Sequence, residues 1–63
     1  MNKILRLLEI LFRRFPETLD GKFENVNTLA LAVVSGIPEW MVKVVLKHTE
    51  AMVLEIKEKR EQK

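Results

Sequence analysis

The chain has 63 residues, with eleven basic and nine acidic side chains, a net charge of +2, no cysteine and one histidine. A chain of this length forms one domain at most, and because it has neither disulfides nor a metal cluster to support its small core, we expect it to self-associate. The absence of cysteine is compatible with a reducing cytoplasm, which is the expected location, and the nearly balanced charge is by itself weak evidence for a nucleic-acid partner.

The first predicted element is an amphipathic helix that ends before Pro16, since proline disfavours the helical conformation of the residue before it. Ile10 is the exception to its pattern, because it sits among the charged side chains. The charges interrupt the apolar run, so no signal peptide, membrane span or membrane partner is predicted. The apolar face consists of Ile4, Leu5, Leu7, Leu8, Leu11, Phe12 and Phe15, and the charged face of Lys3, Arg6, Glu9, Arg13 and Arg14.

The segment 16–27, PETLDGKFENVN, has the composition of a loop. Its Asp20-Gly21 pair is a signal for a two-residue hairpin turn. Strands on either side would be only about three residues long. We therefore expect a loop that contains at most a minimal β-hairpin.

A second helix is predicted from Thr28 to about Ser35. Asn27 can cap it with its side-chain oxygen, and Val26 can pack on Leu31 across the cap. Gly36 ends the helix, because glycine reaches the left-handed conformation without a Cβ penalty. Pro38 then opens a third helix in its first turn, where a missing N–H costs nothing.

The stretch ALAVVSGIPEWMVKVVL resembles the helix-turn-helix of bacterial and archaeal transcription regulators. Ala32 matches the small residue where the two helices cross, Gly36 the turn, and Val42 the apolar residue that packs back on the first helix. The resemblance implies an all-α domain of three or four helices over residues 1–63, with the motif at about 28–48 and a helical extension at about 49–60. It also implies a DNA-binding regulator. The competing interpretation is a compact helical hairpin with no DNA-binding role.

The third helix has two predicted faces. Val42, Val45, Leu46 and Thr49 should face the core, and the opposite, outward face carries Trp40, Lys43, Val44 and Lys47 at helical spacing. On double-stranded DNA, the lysines would neutralise phosphates or reach guanine, Val44 would touch a thymine methyl, and Trp40 would lie on the backbone or a base. Alternatively, the same face continues through Ala51 and Leu54 as an apolar seam that docks a helix of a partner protein.

Other candidate sites are weaker. Arg13 and Arg14 could hold a phosphate beside the motif, although the helix dipole also favours basic residues there. His48 has no metal ligands at suitable spacing, so we predict no metal and no cofactor. With one serine, one histidine and no cysteine, no catalytic constellation is recognisable, and we do not expect an enzyme.

A homodimer is the expected assembly. Met52, Val53 and Ile56 lie beyond the reach of so small a body, and Ile10 is a further candidate for the same contact. If these side chains stay exposed, each loses the roughly 1.5 to 3 kcal/mol of stabilisation that burial would contribute. Two-fold pairing would cover them and would place two recognition helices side by side on DNA.

Overall fold

A computed structural model describes residues 2–61 of the protein. Helix α1 spans Lys3–Arg14, a short 3₁₀ helix spans Pro16–Asp20, α2 spans Thr28–Ser35 and α3 spans Glu39–Glu61. The prediction of an all-α fold is confirmed, and the described residues contain no β-strand. The third helix is continuous from the predicted motif into the predicted extension.

Helix α1 begins after a local cap and ends two residues before Pro16. The Asn2 side-chain oxygen accepts a hydrogen bond of 2.8 Å from the Ile4 N–H, which satisfies one of the donors that a helix start leaves free. Leu7 and Leu11 are completely buried. Ile10 is half-buried and packs against the core, and it also lines a groove with charged side chains of α1, so it lies among them as expected.

The prediction of a minimal β-hairpin in the segment 16–27 is wrong. A type I′ hairpin turn needs positive φ at both central residues, but within residues 2–61 positive φ occurs only at glycines, among them Gly21 at 85°. Gly21 instead caps the 3₁₀ helix, donating its N–H to the Thr18 carbonyl at 3.1 Å. Lys57 Nζ on α3 donates to the Asp20 carbonyl at 3.4 Å. The short helix is therefore held against α3.

Helix α2 has the predicted bounds and caps. The Asn27 side-chain oxygen accepts from the Ala30 N–H at 3.1 Å, and Gly36 is left-handed with φ 73°. The Gly36 N–H donates to the Ala32 carbonyl at 3.0 Å, which closes the helix. Pro38 lies one residue before α3 rather than in its first turn, and its carbonyl accepts from the Val42 N–H at 3.0 Å.

One apolar core joins the three helices. Its buried members come from all three helices and the turn, and Thr18, Ser35 and Thr49 are buried beside them. Helix α3 has 23 residues, about 34 Å at 1.5 Å per residue. From Ala51 to Glu61, α3 extends past the buried core: Val53 is partly buried and the other residues are exposed. The buried apolar residues are Leu7, Leu11, Leu31, Ile37, Val42 and Leu46.

Gly36→Val is expected to destabilise the fold by more than about 1 kcal/mol, because a β-branched residue is strained at positive φ. A Cβ at Gly36 would meet no atom within 4 Å, so Gly36→Ala should show only the backbone strain of positive φ. The alanine variant should therefore lose less stability than the valine variant. Thermal unfolding of both variants measures this. A melting temperature equal to the parent's for the valine variant would mean that the turn has another conformation.

Ser35→Ala is expected to stabilise the fold by roughly 1 kcal/mol, since the buried Ser35 hydroxyl has no hydrogen-bond partner within residues 2–61. Thr49→Val is the matched control, because the buried Thr49 hydroxyl donates to the Val45 carbonyl at 2.8 Å. That variant should lose stability. Chemical denaturation measures both changes in the free energy of unfolding. A loss of stability on Ser35→Ala would mean that the Ser35 hydroxyl makes a stabilising hydrogen bond.

Candidate nucleic-acid interface

Helices α2 and α3 meet at a sharp angle across a short turn. The turn consists of Gly36, Ile37 and Pro38, and the axes of the two helices differ by 111°. Helix-turn-helix pairs join their helices at about 90–120° through three or four residues, often with glycine. Ala32 is partly buried and Val42 completely buried.

The two faces of α3 are as predicted. Val42, Leu46 and Thr49 are buried, and Val45 is partly buried against the core. The outward face of α3, which consists of Trp40, Lys43, Val44 and Lys47, is exposed along its length. Trp40 is 66% exposed and Val44 47% exposed, which is high for side chains of this kind. This face of α3 therefore presents two positive charges and two apolar side chains to an approaching partner.

A cleft of about 230 Å³ runs beside the lysines. Lys43, Lys47 and Glu50 line it from α3. Phe23, Val26 and Thr28 line it from the opposite side, where the loop leads into α2. The two lysines thus border both the outward face and this cleft. Sequence reasoning missed the part played by Phe23, which lies in a loop and belongs to no periodic pattern.

Thr28 and Glu39 connect the first residues of α2 and α3. The Thr28 hydroxyl donates a hydrogen bond to Glu39 Oε2 at 3.2 Å, and both side chains are partly buried. Within residues 2–61, the ion pairs are Glu9 with Arg13 and Glu55 with Lys59. The Glu39 carboxylate is therefore directed across to α2 and does not pair with Lys43, one turn further along its own helix.

Arg13 and Arg14 lie in a different groove from the lysines. They line it together with Arg6, Ile10 and Val34, between α1 and the end of α2. The Arg13 guanidinium lies 3.6 Å from the Glu9 carboxylate, with both side chains largely exposed. An exposed pair of this kind contributes little to stability. The two arginines are thus beside α2, and the structure does not bring them into the cleft of Lys43 and Lys47.

Helix α2 exposes apolar side chains that sequence reasoning overlooked. Val33 is 75% exposed, and Leu29 and Val34 are also exposed. The sequence of α2, TLALAVVS, has no charged residue on any side. A helix that is apolar all round is normally buried. The apolar composition of α2 in the sequence could therefore have predicted that part of its surface is left exposed by this single chain.

The segment predicted to form the dimer contact is accessible. Ile56 is 54% exposed, Met52 is exposed and Val53 is partly buried. Val42, Leu46, Thr49, Val53 and Ile56 follow one another at alternating spacings of four and three, so they form one stripe along α3. The first three are buried in the core. The last two continue the stripe where the body no longer covers it.

No single helix in residues 2–61 is long and apolar enough to cross a membrane, while α2 and α3 together form a bent pair that reaches that length and composition. The described residues contain no group of three side chains suited to hold a metal ion.

Comparison of the chain with known protein families, with curated proteins and with solved structures finds no match.

Proposed function

We propose that the chain is a small helix-turn-helix protein that binds double-stranded DNA and regulates transcription in the cytoplasm as a homodimer. The observation that carries the proposal is the pair of α2 and α3 at 111°, with the exposed Lys43 and Lys47 on the outward face of α3. A helix that exposes one whole face fits the major groove of DNA, which is about 12 Å wide. Its core-facing side is occupied by Val42 and Leu46.

The lysines would act chiefly on phosphates. Each neutralised phosphate releases counterions, so affinity falls as salt is added, by about 0.9 logarithmic units per phosphate for each tenfold rise in salt. A dimer that uses Lys43 and Lys47 of both protomers makes about four such contacts and should have a slope of about −3.6. That corresponds to a loss of affinity on the order of 100-fold between 50 and 200 mM salt.

The accessible surface supports pairing of two chains. The chain exposes 4947 Å². A folded monomer of 7.4 kDa is expected to expose about 4200 Å². The excess of roughly 700 Å² is in keeping with an end of α3 that extends past the core without cover. That end, with Met52, Val53 and Ile56, is the proposed place of the dimer interface.

A second candidate function is a protein-interaction module. It is favoured by the apolar side chains of the outward face of α3, Trp40 and Val44, and by Leu29 and Val33 on α2. Aromatic side chains are frequent anchors of protein interfaces. In this alternative, an amphipathic helix of another protein would cover Trp40 and Val44, and acidic residues beside its apolar stripe would face Lys43 and Lys47.

Binding to random-sequence duplex DNA at increasing salt tests the proposal. The proposed function predicts micromolar binding at low salt that weakens with the slope given above. The fluorescence of Trp40, the only tryptophan, reports binding from the outward face itself. Binding that is absent at 50 mM salt, or that does not change with salt, would favour the interaction module.

A further inference from the structure

We infer that α2 binds the surface of a membrane that contains anionic lipids, through the outward face that its four exposed residues form. The inference goes beyond the proposed function and does not depend on it, because the residues that carry it lie outside the outward face of α3. The prediction that the chain has no membrane partner concerns the charges of α1, whereas this surface belongs to α2. The outward face of α2 consists of Leu29, Ala30, Val33 and Val34.

The outward face of α2 is apolar throughout. Its four residues span about 140° of the helix circumference, while Leu31 and Ser35 on the opposite side are buried. Val33 is 75% exposed and Leu29 60% exposed. A surface helix of a soluble domain normally places polar or charged side chains on this side. Helix α2 therefore has one apolar side on the core and a second one open to a partner.

Basic side chains border this face. Val34 at its edge lines a groove with three arginines of α1, Arg6, Arg13 and Arg14. Among the described residues that line the groove, Glu9 is the one acidic side chain, and it lies 3.6 Å from Arg13. The excess of positive charge favours an anionic partner. A second copy of the chain is disfavoured, since a two-fold contact through this face would bring the arginines of both chains together.

The shape of the face favours a bilayer over a segment of another protein. A partner helix is normally bound in an apolar groove, but the most exposed side chains of α2, Val33 and Leu29, lie outside the groove of the arginines. A fluid bilayer can enclose a convex ridge of this kind. Helix α2, about 12 Å long, lies flat at the boundary between headgroups and acyl chains. The long arginine side chains reach lipid phosphates, which a guanidinium binds through two hydrogen bonds.

The test is co-sedimentation with vesicles of phosphatidylcholine, with and without phosphatidylserine. The wild-type chain should bind the anionic vesicles and bind the neutral ones much more weakly. Val33→Asp should weaken binding to anionic vesicles more than about tenfold, because it removes apolar burial at the centre of the face. Val44→Asp makes the same change at an exposed valine on the outward face of α3 and should retain nearly full vesicle binding.

The arginines are tested by a double variant, Arg13→Gln with Arg14→Gln. Each basic side chain at an anionic surface contributes a factor of about five, so this variant should bind anionic vesicles about 30-fold more weakly. Lys43→Gln with Lys47→Gln removes the same number of charges on the outward face of α3 and should lose much less. Equal losses in the two double variants would overturn the inference, because the response would then be to net charge alone.

A fluorescent label shows whether α2 enters the bilayer. Since the chain has no cysteine, Val33→Cys can carry a single environment-sensitive dye. Its emission should shift to shorter wavelength on anionic vesicles and be quenched by nitroxides in the acyl chains. The same dye on Ala51→Cys, about 18 Å beyond Glu39 along α3, should respond to neither.

Two further results would contradict the inference. If anionic vesicles are not bound, or if Val33→Asp binds them as the wild type does, the inference is overturned and a protein partner is left as the cover of α2. The proposed DNA binding is measured without lipid, so it stands or falls separately.

Discussion

Lys43→Glu and Lys47→Glu are each expected to weaken duplex binding by about tenfold or more, and the double variant by considerably more than either. Both side chains lie on the outward face of α3, where reversal of charge turns attraction to a phosphate into repulsion. Each substitution should also lower the salt slope by about one unit per lost contact. Quenching of Trp40 fluorescence by duplex DNA at several salt concentrations gives both quantities.

Lys3→Glu is the matched control for these variants. It changes the net charge equally but lies at the start of α1, outside the outward face of α3. It should therefore retain nearly full affinity. Equal losses in all three single variants would indicate a response to net charge alone, and unchanged affinity in Lys43→Glu and Lys47→Glu would favour the protein-interaction module.

Val53→Asp and Ile56→Asp are expected to convert the proposed dimer into monomers. Each substitution removes an apolar side chain whose burial stabilises the interface by roughly 1.5 to 3 kcal/mol. Because the substitution is present in both protomers of a two-fold interface, the dissociation constant should rise more than about 100-fold. Sedimentation equilibrium at micromolar concentration measures the change. Because Ile56 is largely exposed on a single chain, helicity should persist in its variant.

Ala51→Asp distinguishes this interface from a general effect on the helix. Ala51 is exposed on α3 beside the same segment, but it projects from the side opposite to Val53 and Ile56. Its variant should remain dimeric. A wild-type chain that sediments as a folded monomer, or a dimer that tolerates both aspartates, would contradict the proposed interface.

The ends of the helices were predictable because local chemistry sets them. Asn27 caps α2 through its own side chain, Gly36 closes it at positive φ, and Pro16 prevents α1 from continuing. These signals act within four residues along the chain, so they are legible in the sequence. The end of α3 carries no such signal near Thr49, and only the structure shows that the helix continues to Glu61.

The features that escaped prediction depend on contacts between distant segments. The Asp20 carbonyl at the end of the 3₁₀ helix accepts a hydrogen bond from Lys57, 37 residues further along the chain, and Ile10 is partly buried against the core. The contact between Thr28 and Glu39 depends on the 111° angle between α2 and α3, which residue types alone do not specify. The sequence does not predict this contact, because its two partners lie eleven residues apart on different helices.

The central claim is that the outward face of α3 contacts duplex DNA, and mapping of backbone amide NMR signals during a DNA titration tests it most directly. At low salt, we expect the largest changes in amide chemical shift between Glu39 and Lys47, smaller changes around Thr28 and little change in α1. Addition of salt should reverse these shifts. Shifts confined to the exposed side of α2 or to the groove of Arg13 and Arg14, or an unchanged spectrum, would contradict the account.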